Sequence, residues 1–245
     1  MTQKKASVIL AAGKGKRMKS DLPKVLHTIA GKPLIRHLLE TLTRLDFDKI
    51  VVVIGHKGEQ VIEAIGDFDV DFVWQKEQLG TGHAVLMAKE LFEKFDGNIL
   101  VAAGDVPFLS ARSIAMLFDT HIKNGAAATC LSALFDKPKG YGRIIRKPGT
   151  DILLDIIEEK DADEETRKIK EINSGTFCFD CRSLFSVLHK VGDNNAQKEQ
   201  YLTDTIKLLS AGGQSCAAVK ASNPIEVKGI NSLEELQALE KAIKN

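Results

Sequence analysis

The chain of 245 residues carries 34 Lys and Arg against 33 Asp and Glu, so its formal net charge is +1, and 44% of its residues are hydrophobic. A near-neutral chain lacks the excess positive charge of nucleic-acid-binding proteins, which argues against a nucleic-acid partner. The longest uncharged stretches, 124–135 and 208–219, are shorter than the ~20 residues of a membrane-spanning helix, so we predict no membrane segment. The early apolar run 6–12 is too short for a signal peptide, and we expect a cytoplasmic protein.

Through the first 135 residues, short apolar runs alternate with amphipathic stretches of helix length, a pattern typical of parallel βαβ units. Pro33 suits a first helical turn, and Ser110 is a suitable cap for the helix that follows it. The predicted strands are 7–10, 50–54, 70–74, 98–103 and 126–134. The predicted helices are 33–45, 58–65, 82–95 and 111–123.

Beyond residue 136 the pattern becomes shorter and less regular, which indicates a mixed α+β arrangement. Ser232 and Glu235 form a capping-box pattern that opens a final helix within 231–245. No Pro/Gly/Ser-rich linker divides the chain, so we expect one domain, 1–245, with one continuous mixed sheet. The predicted strands of this part are 152–157, 172–179 and 225–230.

The cysteines are too few for a disulfide scaffold in a chain of this length. Cys178 and Cys181 have the spacing of a metal or redox pair, but no second pair completes a zinc site. Cys178 also falls in an alternating run that predicts a strand. We therefore interpret the cysteines as core residues.

A glycine-rich basic loop follows the first predicted strand, at the edge of the sheet where ligands of open α/β sheets bind. Gly13 and Gly15 let the backbone approach a ligand, and five of the eleven residues from Lys14 to Lys24 are basic. The dinucleotide fingerprint is absent because its third glycine is Met18 here, and the P-loop motif is absent as well. The loop therefore predicts a polyphosphate site of another kind, against the alternative of a tight turn with a solvated basic edge.

The segment from Leu10 to His27, Leu-Ala-Ala-Gly-Lys-Gly-Lys-Arg-Met-Lys-Ser-Asp-Leu-Pro-Lys-Val-Leu-His, resembles the signature of sugar-nucleotide pyrophosphorylases. More closely, it resembles the uridylyltransferase domain of the bifunctional bacterial N-acetylglucosamine-1-phosphate uridylyltransferase/glucosamine-1-phosphate acetyltransferases. The resemblance continues in order through 75–83, 104–107, 140–144, 158–162, 171–175, 200–204 and 226–231.

The resemblance implies a Rossmann-like nucleotidyltransferase fold of the glycosyltransferase-A type, with a mixed central sheet flanked by helices. Residues 1–135 would form the nucleotide-binding half, and 136–230 would form a smaller, mainly sugar-binding α+β half. The implied partners are UTP and a sugar 1-phosphate, the implied cofactor is Mg²⁺, and the implied products are a UDP-sugar and pyrophosphate.

Site residues follow from the same resemblance. Arg17 and Lys24 would be catalytic, with Arg17 on the departing pyrophosphate and Lys24 on the α-phosphate, because this chemistry needs charge neutralisation rather than a general base. Asp105 and Asn231 would be the metal ligands. The residues implied in nucleotide binding are Leu10, Ala11, Ala12, Gly13, Gly15, Lys24, Gln75, Gln78, Gly80, Thr81 and Asp105. The residues implied in sugar binding are Gly142, Glu158, Asn173, Tyr201 and Thr203.

Two alternatives to a UDP-N-acetylglucosamine-forming enzyme stay open at this point. One is a nucleotidyltransferase for another sugar 1-phosphate or for CTP, since Ala103 replaces a tyrosine of well-known members of the resembled family. The other is a non-catalytic regulatory protein of the same fold, although Arg17, Lys24 and Asp105 are all present. The acetyltransferase β-helix of the bifunctional enzymes has no counterpart in this sequence, so we expect a monofunctional enzyme that is a monomer or weak oligomer.

Overall fold

The computed structural model describes residues 3–244. The strands are β1 (Lys4–Ala11), β2 (Thr28–Ile29), β3 (Lys32–Pro33), β4 (Lys49–Ile54), β5 (Asp71–Trp74), β6 (Gly97–Ala103), β7 (Ala128–Leu134), β8 (Arg143–Arg146), β9 (Leu153–Ile157), β10 (Glu171–Asp180) and β11 (Cys216–Lys220). The helices are α1 (Leu34–Leu42), α2 (Gly58–Ile65), α3 (Thr81–Leu86), α4 (Ala111–Lys123), α5 (Glu164–Arg167), α6 (Cys181–Leu188), α7 (Asp204–Ala211) and α8 (Leu233–Lys244). Short 3-10 turns occur at Lys16–Met18, Lys24–Leu26, Lys89–Phe92 and Pro224–Val227.

One nine-stranded mixed sheet runs through both predicted halves, with the order β11-β7-β10-β6-β1-β4-β5, and β8 and β9 branch from β10. The strands β6, β1, β4 and β5 are parallel, as the βαβ pattern predicts. Strand β10 is antiparallel to both β6 and β7, and β11 is parallel to β7. The predicted continuous mixed sheet is confirmed.

The sheet is buried on both faces, which explains the unbroken apolar character of its central strands. In β4, Val51 and Val53 pack in one core cluster, whereas Val52 and Ile54 pack in the other. Alternate residues of the strand therefore face the two opposite helix-covered layers. Among the described residues, no helix is long and apolar enough to cross a membrane.

Helix α4 has the predicted bounds. Its predicted cap is also present, since the Ser110 hydroxyl accepts a hydrogen bond from the Ser113 N–H at 3.1 Å. Helix α8 also begins with the predicted capping interaction, from the Glu235 N–H to Ser232 Oγ at 3.2 Å. The Glu235 carboxylate reaches back to the N–H of Asn231 at 2.7 Å, one residue before the cap. Asn245, the last residue of the predicted terminal helix, lies outside the described part of the chain.

One of the predicted elements is wrong, and two others are wrong in part. The strand 225–230 is a 3-10 turn at Pro224–Val227, because the Asn223 side chain accepts from the Ile225 N–H and Pro224 opens the turn. The helix 82–95 divides into α3 and the 3-10 turn Lys89–Phe92, which buries Phe92 in the core. Helix α1 begins after Pro33, whose ψ of 142° is extended rather than helical.

All four cysteines are free and buried, which confirms their interpretation as core residues. The Cys178–Cys181 pair spans the end of β10 and the first residue of α6, so its spacing follows from a strand-to-helix junction. Burial raises the pKa of the Cys181 thiol to about 11, as expected for an unreactive cysteine.

Candidate nucleotide-binding site

A cleft of about 510 Å³ opens at the carboxyl edge of the parallel strands, where β1, β5 and β6 end side by side with β4. This is the edge at which open α/β sheets bind their ligands. Every residue predicted to bind nucleotide lines this single cleft. It is lined by Leu10, Ala11, Ala12, Gly13, Lys14, Gly15, Lys24, Val25, Gln75, Gln78, Gly80, Thr81, Ala84, Ala103, Asp105 and Glu199.

The glycine-rich loop lines the cleft and brings Lys24 into it. Gly15 has a φ of +56°, and a Cβ there would lie 2.9 Å from the Cβ of Lys24, so no larger residue fits without displacing the lysine. The Gly15 carbonyl accepts from the Met18 N–H at 2.8 Å, and the buried Met18 side chain anchors this turn to the core. Buried Val25 anchors the turn that carries Lys24. The loop is therefore fixed at both ends by apolar contacts.

Asp105 is held firmly at the end of β6. The N–H of the preceding Gly104 donates to Leu10 O at 3.0 Å, and the Asp105 carbonyl accepts from the Ile230 N–H at 3.0 Å. The Asp105 residue is only 6% exposed. These bonds bring the segment of Asn231 alongside Asp105, although the two residues are far apart in the sequence.

Two cations converge on Asp105 and Asn231. The Lys24 ammonium forms an ion pair with Asp105 Oδ2 and lies 3.2 Å from Asn231 Oδ1. Arg17 donates from Nη2 to the same Asn231 oxygen at 2.8 Å. The structure thus brings together both predicted catalytic residues and both predicted metal ligands. Arg17 is exposed and stands at the edge of this cluster rather than in the cleft wall.

Gln75 follows β5 and is 3% exposed. Its Nε2 donates to the Gly80 carbonyl at 3.0 Å and lies 3.0 Å from His83 Nδ1. A carbonyl can only accept a hydrogen bond, so the amide nitrogen must face Gly80. Within the described residues Oε1 has no hydrogen-bond partner, which leaves an acceptor available to a ligand in the cleft.

The loop that carries Gly80 and Thr81 is paired with the segment Gln200–Leu202. Gly82 N–H donates to Gln200 O at 2.8 Å, and Leu202 N–H donates to the Thr81 hydroxyl oxygen at 3.0 Å. Gly80 has a φ of +123°, and a Cβ there would lie 2.5 Å from Gln200 O. This close backbone contact joins the predicted nucleotide loop to the segment that holds Tyr201 and Thr203.

The predicted sugar-binding residues form a second group around Glu158. Thr203 Oγ1 donates to Glu158 Oε1 at 3.2 Å, and a Cβ at Gly142 would lie 3.2 Å from Glu158 Oε2. The Gly142 carbonyl accepts from the Asn173 N–H at 2.9 Å. Glu158 and buried Tyr201 also line a separate cleft of about 380 Å³.

The charge state of Glu158 is set mainly by burial, which raises the pKa of its carboxyl above the ordinary value. The Thr203 hydroxyl opposes this effect, and the nearby carboxylates of Asp204 and Asp161 add to it. Burial likewise raises the pKa of Asp204 and Asp155, which line the same cleft. The Glu158 oxygen atoms can accept hydrogen bonds from ligand hydroxyl groups when the carboxyl is ionised.

Two polar residues of the site escaped the sequence reasoning. His83 fixes the amide of Gln75, and Glu199 lines the cleft. Both lie at or beside segments that resemble the family, since His83 is the last residue of 75–83 and Glu199 directly precedes 200–204. Neither, however, has a spacing that by itself predicts a role.

The fold that carries this site is that of nucleotidyltransferases. A solved structure of UDP-glucose pyrophosphorylase complexed with UDP-glucose superimposes with a TM-score of 0.77 at 18% identity, covering 98% of each chain. A nucleotidyl transferase from Methanothermobacter thermautotroptrophicus superimposes with a TM-score of 0.69 at 20% identity, covering 100% of this chain and 99% of that one. The predicted Rossmann-like fold with a mixed central sheet is confirmed.

The chain belongs to the MobA-like NTP transferase domain family, whose model matches residues 7–175. It is 44% identical to the bifunctional protein GlmU of Heliobacterium modesticaldum, over 99% of this chain and 52% of that protein. It is 45% identical to the bifunctional protein GlmU of Enterococcus faecalis, over 96% of this chain and 51% of that protein. The chain thus spans about half the length of these relatives, and the resemblance to one part of a bifunctional enzyme is confirmed.

Proposed function

We propose that the chain is an N-acetylglucosamine-1-phosphate uridylyltransferase, which transfers UMP from UTP to N-acetylglucosamine 1-phosphate and releases pyrophosphate. The observation that carries this proposal is the convergence of Lys24 and Asp105 in the one cleft that all the predicted nucleotide-binding residues line. Similarity to proteins named GlmU over nearly the whole chain adds independent support.

The reaction is an in-line displacement at the α-phosphorus of UTP. An anionic oxygen of the sugar phosphate forms the new P–O bond, and the bond from the α-phosphorus to the bridging oxygen breaks. The electron pair of the broken bond leaves with pyrophosphate. No proton needs to be removed from the nucleophile, so the protein's task is to position the two anions and to neutralise their charge.

Lys24 and Arg17 supply that positive charge. Lys24 lies inside the cleft and would move from Asp105 onto the α-phosphate. Arg17, on an exposed turn beside the cleft, would hold the departing pyrophosphate, for which a planar guanidinium can donate two parallel hydrogen bonds.

Asp105 and Asn231 would hold a divalent cation, which we propose is Mg²⁺. Their oxygens already share one positive charge, the Lys24 ammonium, so they are arranged to accept a cation between them. Within the described residues no group of three His, Cys, Asp or Glu side chains could hold a metal alone. Mg²⁺ suits such a two-ligand site because it keeps phosphate oxygens and water as its other ligands. When bound, it would neutralise and orient the phosphates of the nucleotide.

On the sugar side, Gly142, Glu158 and Thr203 would contact the hydroxyl and acetamido groups, with Asn173 beside them. A backbone without a side chain at Gly142 permits close approach, and the Glu158 carboxylate can accept hydrogen bonds from hydroxyl groups.

The direct test is to measure pyrophosphate release from UTP and N-acetylglucosamine 1-phosphate, with and without Mg²⁺. A panel of other nucleotides and sugar 1-phosphates serves as the specificity control, and Lys24→Ala and Arg17→Ala serve as activity controls. We expect both variants to lose about two to three orders of magnitude in turnover with little change in Tm. Faster turnover with CTP or with another sugar phosphate would assign a different substrate to the same site.

A further inference from the structure

Arg143 is one of the largest fully buried side chains of the protein, with an exposed fraction of 2%. Its guanidinium forms an ion pair with Glu159, at 2.8 Å from Nη2 to Oε2. It also donates from Nη1 to the Tyr141 carbonyl, and from Nε and Nη2 to the Arg167 carbonyl at 3.4 and 3.3 Å. A single buried side chain thus ties together the segment before β8, the segment after β9 and the end of α5.

Two partners of Arg143 are adjacent in sequence to residues proposed to bind sugar. Gly142 lies between Tyr141 and Arg143, and Glu158 directly precedes Glu159. The two segments are in contact, since a Cβ at Gly142 would lie 3.2 Å from Glu158 Oε2. Any loosening of the Arg143 contacts would therefore change the spacing between Gly142 and Glu158.

Stability alone does not account for this arrangement. Moving a guanidinium out of water has a large desolvation cost, and well-packed apolar residues often replace buried ion pairs without loss of stability. Arg143 nevertheless donates to two backbone carbonyls, each fixed in direction, and pairs in charge with one carboxylate. Such contacts specify geometry more than they add free energy.

We propose that Arg143 is a positioning residue for the sugar phosphate, which acts by holding Gly142 and Glu158 at their working separation. The proposal rests on the proposed function, because it assigns the sugar to these two residues. It predicts that damage to Arg143 weakens recognition of the sugar while recognition of the nucleotide stays intact.

The test compares Arg143→Lys and Glu159→Gln with the wild-type protein. Lys keeps the charge but cannot reach both carbonyls and the carboxylate, whereas Glu159→Gln removes only the charge partner and leaves the carbonyl contacts of Arg143 in place. We expect KM for N-acetylglucosamine 1-phosphate to rise about tenfold in Arg143→Lys and less in Glu159→Gln, while KM for UTP changes less than about twofold. Arg36→Met is the matched control, since Arg36 also binds a carboxylate, Asp67, and a carbonyl, Ala64, and we expect it to change neither KM.

A second readout needs no turnover. The affinity for UDP-N-acetylglucosamine relative to that for UDP, measured by calorimetry, should fall in Arg143→Lys by about the same factor as the rise in KM. Equal losses for both ligands, or a lowered Tm with unchanged affinities, would overturn the positioning role. If Arg143→Lys does not fold, Glu159→Gln provides the same comparison. An inactive wild-type protein would contradict the proposed function itself, whereas an active wild type with unaltered variants would contradict only the role of Arg143.

Discussion

Lys24 lies between the two oxygens that we propose hold a metal ion. Its ammonium neutralises Asp105 and lies near Asn231, and Arg17 binds the same amide oxygen. A nucleotide would attract both cations to its phosphates and free the two oxygens. Metal binding and nucleotide binding should consequently favour each other.

For Lys24→Met we therefore expect tighter binding of Mn²⁺ in the absence of nucleotide. The gain should be about two- to fivefold, the scale of one partly exposed ion pair. Electron paramagnetic resonance of free and bound Mn²⁺ measures it without any turnover. Lys14→Met, which removes another cation of the same cleft, is the control and should leave Mn²⁺ affinity nearly unchanged. Weaker Mn²⁺ binding by Lys24→Met would contradict this account of the site.

The second prediction at the scale of single residues concerns Gln75. With its nitrogen fixed by Gly80 and His83, the amide offers its oxygen to the base. The N3–H of uracil can donate to that oxygen, whereas N3 of cytosine is itself an acceptor. Gln75→Ala should lower the preference for UTP over CTP, expressed as the ratio of kcat/KM values, by about tenfold. An unchanged ratio would assign base recognition to other groups in the cleft.

At the scale of single elements, the end of β9 carries a proposed sugar-binding residue whose burial has a cost in stability. Glu158 follows this strand, and burial raises the pKa of its carboxyl. A raised folded-state pKa means that stability falls as the pH rises from the ordinary carboxyl pKa through the raised one. Above that range the buried charge carries its full cost.

Glu158→Gln should accordingly raise Tm near about pH 8 and have little effect near about pH 4, where the wild-type carboxyl is protonated. The same variant should weaken sugar phosphate binding, because an amide accepts hydrogen bonds less strongly than a carboxylate. Thermal unfolding at the two pH values measures the first effect, and KM for the sugar phosphate measures the second. The exposed Glu164→Gln is a suitable control for the stability measurement. A lower Tm for Glu158→Gln at high pH would show that the charge is stabilised in the fold.

Elements that depend on local pattern were predictable from sequence, and those that depend on distant pairing were not. Helix α4 follows from its apolar spacing and its Ser110 cap, and β4 follows from a continuous apolar run. The partnership of β10 with β6 and β7 brings together segments far apart in the chain, which no local pattern indicates. Strand β11, which pairs with the distant β7, was not assigned for the same reason. Helices α6 and α7 were not assigned either, although α6 has a local signal in its Asp180 cap and in the apolar spacing of Cys181, Leu184 and Leu188.

The residues of the candidate site likewise divide into those that the local sequence predicts and those that only the folded structure brings together. Gly13, Gly15 and Lys24 lie within one short block, so the sequence predicts their proximity. The contact of His83 with Gln75 and the burial of Arg143 depend on side-chain directions that only the folded structure defines. Family resemblance supplied the sugar-side residues, of which local physical reasoning alone would have assigned Glu158 to a solvated acidic face.

At the scale of the whole molecule, a buried histidine links the stability of the fold to pH. His121 on α4 lies 3.0 Å from the Thr129 hydroxyl of β7 and is 2% exposed. Burial lowers its pKa from 6.5 to about 4, against an opposing effect of the Asp180 carboxylate. Because the folded state keeps this ring neutral, its contribution to stability is complete above the unfolded-state pKa and is lost as the pH falls toward about 4.

We expect His121→Gln to flatten the decline of unfolding free energy between about pH 6.5 and about pH 4. The Gln side chain retains a partner for Thr129 but takes up no proton. Denaturant unfolding at several pH values gives the slope, and the exposed His189→Gln provides the control. If unfolding free energy changes with pH equally in wild type and His121→Gln, His121 does not contribute to the acid sensitivity of the protein.

The central place of β10 in the sheet has a consequence for biosynthesis. Strands β6 and β7 are made early, yet β10 lies between them and leaves the ribosome later. Until residues 171–180 emerge, both strands carry unpaired edges, which are the groups most prone to pair with other chains. Slower translation of the codons between β7 and β10 would prolong that exposure. Synonymous changes in this stretch of the gene could thus lower the yield of folded protein while leaving every residue unchanged.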